Sequence, residues 1–332
     1  MKNAHLQVFV NLKFPALSVL DNNLVRIRKP KLNFSAMENL TVEEVIDKHK
    51  SSGKFFMVNG IKTFALDYGS GEAVFCIHGV PTSSFLYRKV LQELATKGFR
   101  GVCIDLPGLG LTERPADFEY SFPNFARFLA QAADEMGIKK YHLVVHDIGG
   151  PIGFALAAEN KEKILSLTIL NTWIDVVNFQ KPLPMRPFEK PVLGETELMA
   201  IQHPSWHWMF TTVGVLDAAG ISKEEIYTYV DLLKQEDDGA AFLKIMRNFN
   251  HSEAFRDLCL QAVQQVSYPV QAIWGVEDDG LKYDRYGLEI KEAASLPEVY
   301  KLKAKHLLQE EQWKTIAEMI AVLAHQEKET DI

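Results

Sequence analysis

Cysteine is scarce in this chain. Cys76, Cys103 and Cys259 are the only three in 332 residues, and their spacing matches no metal-ligand pattern. Two of them sit inside apolar runs that read as buried strands, so reduced, structural thiols and a cytoplasmic protein are expected. Basic charge is also short. With 36 Lys and Arg against 43 Asp and Glu, the net charge of -7 leaves no long basic stretch to track a phosphate backbone, which argues against nucleic acid as a partner. A membrane-spanning run is missing as well, because the apolar stretch 6–20 is broken by Asn11, Lys13 and Pro15. There is no internal repeat and no Gly-x-Ser-x-Gly, the turn that carries the nucleophile in serine esterases.

Residues 1–37 stand apart. They hold several Lys and Arg but Asp21 as their single acid, a bias like that of a transit peptide, without a signal-peptide apolar core. Residues 1–50 are read as an N-terminal extension, packed on or trailing from the domain.

From residue 55 onward, short β-rich runs alternate with helical patterns, the signature of a mostly parallel sheet covered on both faces. Strands are expected at 55–58, 63–67, 73–77, 101–104, 142–145, 166–170, 270–274 and near 298–302, with Asn59-Gly60 turning the first pair. Helical periodicity covers 84–96, 124–136, 149–159, 283–294 and 310–324. Strand signals stop between about 174 and 267, giving way to helices and Pro-rich loops. The expected organisation is therefore a sheet domain, 51–173 and 268–332, with an inserted helical cap at 174–267.

The strongest local signal is Val144-Val145-His146-Asp147-Ile148-Gly149-Gly150-Pro151, a β-branched strand entering a helix through two glycines. A side chain at such a sharp turn is held out at the carboxyl edge of the sheet, where other hydrolases place Ser and this chain places Asp. A helix start also favours a carboxylate, so an Asp before a helix is commonly only its cap. Three further segments bear on the choice. Cys76-Ile77-His78-Gly79-Val80-Pro81-Thr82-Ser83-Ser84 puts a tight Gly turn after the third strand, which can aim the Val80 N–H at the Asp147 apex and pair it with the Ile148 N–H as an oxyanion hole. Asp105-Leu106-Pro107-Gly108-Leu109-Gly110 follows the next strand. His306 lies just past the last strand, in the chain order nucleophile, acid, His.

From about residue 55 to its end, the chain resembles the aspartate-nucleophile α/β-hydrolases, the group of haloalkane dehalogenases and epoxide hydrolases. The resemblance rests on 78–84, 105–110, 146–150, 274–278 and 306–310. The Pro81-Thr82-Ser83-Ser84 extension, Val145 and the run His306-Leu307-Leu308-Gln309-Glu310 are dehalogenase-like. It implies an eight-stranded α/β-hydrolase fold with Asp147 as nucleophile and His306 as the base that activates water. A carboxylate must orient that base. Trp274-Gly275-Val276-Glu277-Asp278-Asp279 nominates Asp278, with Asp279 and Glu277 as fallbacks; the other position that some dehalogenases use holds Asn171.

Departures from the group concern the substrate. Dehalogenases carry a Trp directly after the nucleophile, and often Asn or Glu after His-Gly, to hold the leaving halide. This chain has Ile148 and Val80 there. Halide binding would then fall to the indoles of Trp173, Trp206 or Trp208. Epoxide opening needs an acid, for which Tyr227, Tyr229 and His207 are available; Tyr227 and Tyr229, two apart on one helix, cannot share a pocket. Near Arg247-Asn248-Phe249, where a second ring-opening Tyr would be sought, the chain has Phe. Trp173, His207, Trp208 and Tyr229 are the expected substrate-binding set. The reading implies a small apolar electrophile and water as reactants, with neither metal nor organic cofactor.

Overall fold

The computed structural model describes residues 40–330, with side chains to 325, so the first 39 residues of the expected extension lie outside the described part. The rest of that extension is helix α1 (Val42–Ser51), closed by a capping box in which Thr41 Oγ1 accepts from Glu44 N and Glu44 Oε2 accepts from Thr41 N. It packs on α7 (Lys223–Lys234) and on strand β1 (Gly53–Val58), so the extension does not trail free at this end.

Strands β2 (Ile61–Gly69), β3 (Ala73–Ile77), β4 (Arg100–Ile104), β5 (Tyr141–His146), β6 (Ile164–Leu170), β7 (Val270–Gly275) and β8 (Tyr300–Leu302) complete an eight-stranded sheet in the order β1-β2-β4-β3-β5-β6-β7-β8. The first two strands run antiparallel to their neighbours and the rest are parallel. β3 and β5 are buried at every position, as apolar β-branched runs must be when helices cover both faces. One helix group pairs α2 (Arg88–Thr96) with α10 (Trp313–Thr330), and another joins α3 (Phe122–Glu135), α4 (Gly149–Glu159) and α9 (Glu253–Gln261).

The chain steps from β3 outward to β4 and then back across to β5. This reversal opens a crevice at the carboxyl ends of β3 and β5, the usual ligand position in such sheets. Pairing of Ile77 with Val145 sets the loop after β3 directly beside the turn after β5.

Between β6 and β7 lie α5 (Leu193–Ala200), α6 (His203–Met209), α7, α8 (Ala240–Arg247) and α9, with no strand. The last of these, within the expected cap range, packs on α4 rather than roofing the crevice; Cys259 on α9 reaches the Pro151 carbonyl at 3.8 Å. Sheet, helices and insertion fall in one compact unit. No helix of the described residues is long and apolar enough to cross a membrane.

Candidate active site

Asp147 stands between β5 and α4 with φ of 53°, the left-handed region that side-chain-bearing residues rarely enter. The surroundings hold it there: its N–H donates to the Asn171 carbonyl (3.1 Å), while its own carbonyl accepts from Thr172 Oγ1 (2.6 Å) and Gly150 N (2.9 Å). Space dictates the neighbours. A Cβ on Gly150 would collide with the Thr172 side chain, and one on Gly79 would collide with the Asp147 side chain itself.

The loop after β3 is pinned by His78, whose Nε2 accepts from Leu106 N (3.0 Å), leaving Nδ1–H to donate to the Gly79 carbonyl (2.9 Å). Asp105 then ties this loop to the one after β4, accepting from Ser84 N (2.6 Å) and Leu111 N (2.8 Å). Thus fixed, Val80 N donates to Asp147 Oδ1 at 2.8 Å, and the Ile148 N–H also favours the carboxylate. One carboxylate oxygen sits in a backbone N–H pocket while the other faces His306, whose Nε2 is 3.6 Å away.

His306 is held from behind. Its Nδ1 lies 2.8 Å from Asp278 Oδ2, and its carbonyl accepts from His146 Nε2 at 2.9 Å. Burial alone would favour neutral imidazole, but the carboxylates of Asp278 and Asp147 outweigh it and raise the His306 pKa to about 10. Asp278 is lowered to about 2 against its own burial, by His306 and by N–H donors from Leu281 and Asn171. Asp147, despite its burial, is likewise lowered, mainly through His306. His146 is kept neutral by burial and by the neighbouring His306, with its pKa near 3. The arrangement sets a histidine between two carboxylates from three separate loops, which favours its protonated form.

A cavity of about 350 Å³ opens over Asp147. Its floor includes Val80, Asp147, Asp278 and His306; Phe179, Leu183, Met185, Trp206, Met209, Phe210, Met246 and Phe249 supply an apolar wall. Trp173 lines it too, stacked on Phe179 at 3.7 Å. Three of the four substrate-binding residues expected from sequence are not in that lining. Trp208 is 67% exposed, because it lies two positions from the inward Trp206 on α6 and so on another face. His207 sets its ring edge-on to Tyr227, which is stacked on His203 at 4.3 Å. Tyr229 is buried elsewhere and donates to Glu310 Oε1 at 2.5 Å. Ile148, although its N–H serves the turn, also lies outside the lining.

Sequence reasoning misses residues that the structure brings in. Asn171, visible in the sequence only as a missing acid, donates to Asp278 Oδ2 (2.8 Å) and accepts from Gly275 N (2.8 Å). Thr172 fixes the elbow carbonyl, and the small residues at Gly149 and Gly150 are the only hint of how close it comes. Trp206, one of the three indoles considered for halide binding, lines the cavity and has a buried N–H with no hydrogen-bond partner. Lys181 lines the cavity as well, and nothing in its loop sequence sets it apart.

Residues 72–306 match the α/β hydrolase fold family, and the chain belongs to it. Over 108 residues it is 38% identical to haloalkane dehalogenase 2 of Mycobacterium tuberculosis, covering 32% of this chain and 37% of that protein. The match thus spans little more than a third of that relative's length. The structure is similar to a haloalkane dehalogenase from Bradyrhizobium elkani (TM-score 0.67, 22% identity, 83% of this chain and 99% of that one). It is also similar to an epoxide hydrolase from Vigna radiata (TM-score 0.66, 22% identity, 82% and 97%). At this identity the likeness is one of fold.

Proposed function

We propose that this chain is a haloalkane-dehalogenase-like hydrolase working through an alkyl ester on Asp147. The observation that carries the reading is the division of labour between the two Asp147 oxygens. Oδ1 occupies the backbone pocket at Val80 N, so Oδ2, on the His306 side, is the nucleophile toward an sp³ carbon in the apolar cavity. No base is needed for that step, because a carboxylate held below its usual pKa is already ionised.

Ester formation removes the Asp147 charge, one of the groups that keeps His306 protonated. Losing that charge makes the imidazole readier to give up its proton and act as a base when water must be activated. Water attacks Cγ of Asp147, the charge grows on the oxygen already facing the Val80 and Ile148 N–H groups, and Asp278 stabilises the imidazolium. The unpaired indole N–H of Trp206, at the cavity wall, would gain an acceptor in a leaving halide. Tyr227, Tyr229 and His207 all lie outside the lining, so the alternative epoxide hydrolase with a cap Tyr or His as acid has no support from these residues.

A single turnover in ¹⁸O-water, with enzyme in excess over 1-bromobutane, tests the mechanism. The first product oxygen is expected to be ¹⁶O, donated by Asp147, with ¹⁸O left in the Asp147 peptide. Direct appearance of ¹⁸O in the first product would rule out the ester.

A further inference from the structure

The peptide unit joining His306 to Leu307 is held at both ends. Its carbonyl accepts from His146 Nε2 at the end of β5 (2.9 Å), and its N–H, that of Leu307, donates to the Gly214 carbonyl in the insertion between β6 and β7 (2.8 Å). Gly214 closes the π-type turn Phe210–Gly214, a form that concentrates at functional sites. Lys305 Nζ donates to the Thr212 carbonyl of the same turn. The turn also faces the cavity, since Phe210, Val213 and Gly214 line it together with His306 and Leu307. His306 therefore stands on a loop bonded directly to a piece of the cavity wall.

One side chain ties the two segments together. Glu311, at the end of the short helix Leu308–Glu311, reaches back with one oxygen to each. Oε1 accepts from Leu216 N (3.0 Å) and Asp217 N (2.8 Å), just past the turn, while Oε2 accepts from Lys305 N (3.4 Å), just before His306. A carboxylate only accepts, so it can serve backbone donors on both segments at once, and charge-assisted bonds of this kind are the stronger ones.

We propose that Glu311 is a positioning residue for ester hydrolysis: it clamps the cavity-lining turn to the His306 loop and so holds the imidazole in line with the water that attacks Asp147 Cγ. The inference rests on the Asp147 ester reading. Asp278 orients the ring, whereas the clamp sets where the backbone beneath it stands. Placement matters because His306 Nε2 is 3.6 Å from Asp147 Oδ2, and a misplacement of about 1 Å costs reacting groups on the order of a hundredfold. Ester formation makes no such demand. The nucleophile is held by Val80 N, the Asn171 carbonyl and Thr172 Oγ1, none of them in the clamped segments, and that step uses no base. Loosening the clamp should therefore separate the two half-reactions.

Glu311→Ala and Glu311→Gln, with folding checked by thermal melt, are to be followed on 1-bromobutane by rapid quench. Bromide release in the first turnover gives the rate of ester formation, and loss of the butyl adduct from the Asp147 peptide gives the rate of its clearance. Glu311→Ala is expected to form the ester within about threefold of the wild-type rate and to clear it at least about tenfold more slowly. Glu311→Gln keeps an oxygen for the turn but presents a donor to Lys305 N, and is expected to fall between. Formation and clearance slowed alike would make Glu311 structural and overturn the inference, as would clearance at the wild-type rate in Glu311→Ala; both leave the ester reading standing. Absence of any Asp147 adduct from the Glu311 variants and from His306→Gln, beside active wild type, would overturn both.

Discussion

Asn171 donates a 2.8 Å hydrogen bond to Oδ2 of Asp278, the same oxygen that faces the His306 ring. The carboxylate facing His306 stands at the end of β7, but the end of β6 lies within one hydrogen bond of the same point. Asp278→Asn is expected to cut turnover by about 10⁴, since the imidazole loses the group that fixes its tautomer. Adding Asn171→Asp moves the carboxylate one strand over and is expected to return at least about tenfold of that loss. Steady-state rates of the single and double variants decide the matter; a double variant no better than the single would show that only the β7 position can orient His306.

The His306 pKa of about 10 has a consequence for stability. A histidine raised in the folded state stabilises it fully below the unfolded value of about 6.5, and that contribution is lost as pH rises through the folded value. The denaturation midpoint of wild type relative to His306→Gln is therefore expected to fall between pH of about 6.5 and 10. A difference that grows over this window would contradict a resting imidazolium.

Glu310 shows why Tyr229 could not serve the cavity. Its carboxylate, fully buried, receives Arg88 (2.5 and 3.1 Å), Lys89 (2.9 Å) and the Tyr229 hydroxyl (2.5 Å), and Arg88 also pairs with Glu225 on α7. Burial opposes the charge, yet Arg88 and Lys89 bring its pKa down to about 2. Glu310→Gln leaves buried cations short of a partner and is expected to cost about 3–5 kcal/mol by chemical denaturation. The wild-type contribution holds above the unfolded carboxylate value and is lost as pH falls through about 2. A cost below about 1 kcal/mol would mean that the network is solvated like a surface pair.

Trp206 and Trp208 give a paired test on one short helix. Trp206→Phe removes the unpaired wall donor and is expected to lower 1-bromobutane turnover by about a hundredfold, the usual worth of one such donor. Trp208→Phe, on the exposed face, is expected to change nothing measurable. The reverse pattern in kcat would place the halide on the other face of α6.

The two indoles also mark the limit of what can be read from sequence. Strands are legible because parallel sheet interiors demand unbroken β-branched runs: β5 is expected at 142–145 and spans Tyr141–His146. The turn at Asp147 is legible because Gly149 and Gly150 have local steric reasons to be small. The 84–96 periodicity reads as one helix, yet the segment begins as a 3₁₀ turn, Ser84–Tyr87, where Ser83 and Asp105 capture backbone N–H groups. Cap side chains are not legible, since α6 is too short for periodicity to decide which of Trp206, His207 and Trp208 turns inward. Lys181 owes its position to a partner eight residues on and a ring from after α8, contacts that no local pattern announces.

At the core of the proposed mechanism is a covalent ester on Asp147 that His306-activated water would clear. The decisive experiment incubates His306→Gln protein with 1-bromobutane and follows it by intact mass and peptide mapping. A stoichiometric butyl adduct is expected on the Asp147 peptide and should persist, while wild type under the same conditions carries none at steady state and releases butanol. An unmodified His306→Gln protein, or an adduct on any other residue, alongside active wild type would contradict the ester mechanism.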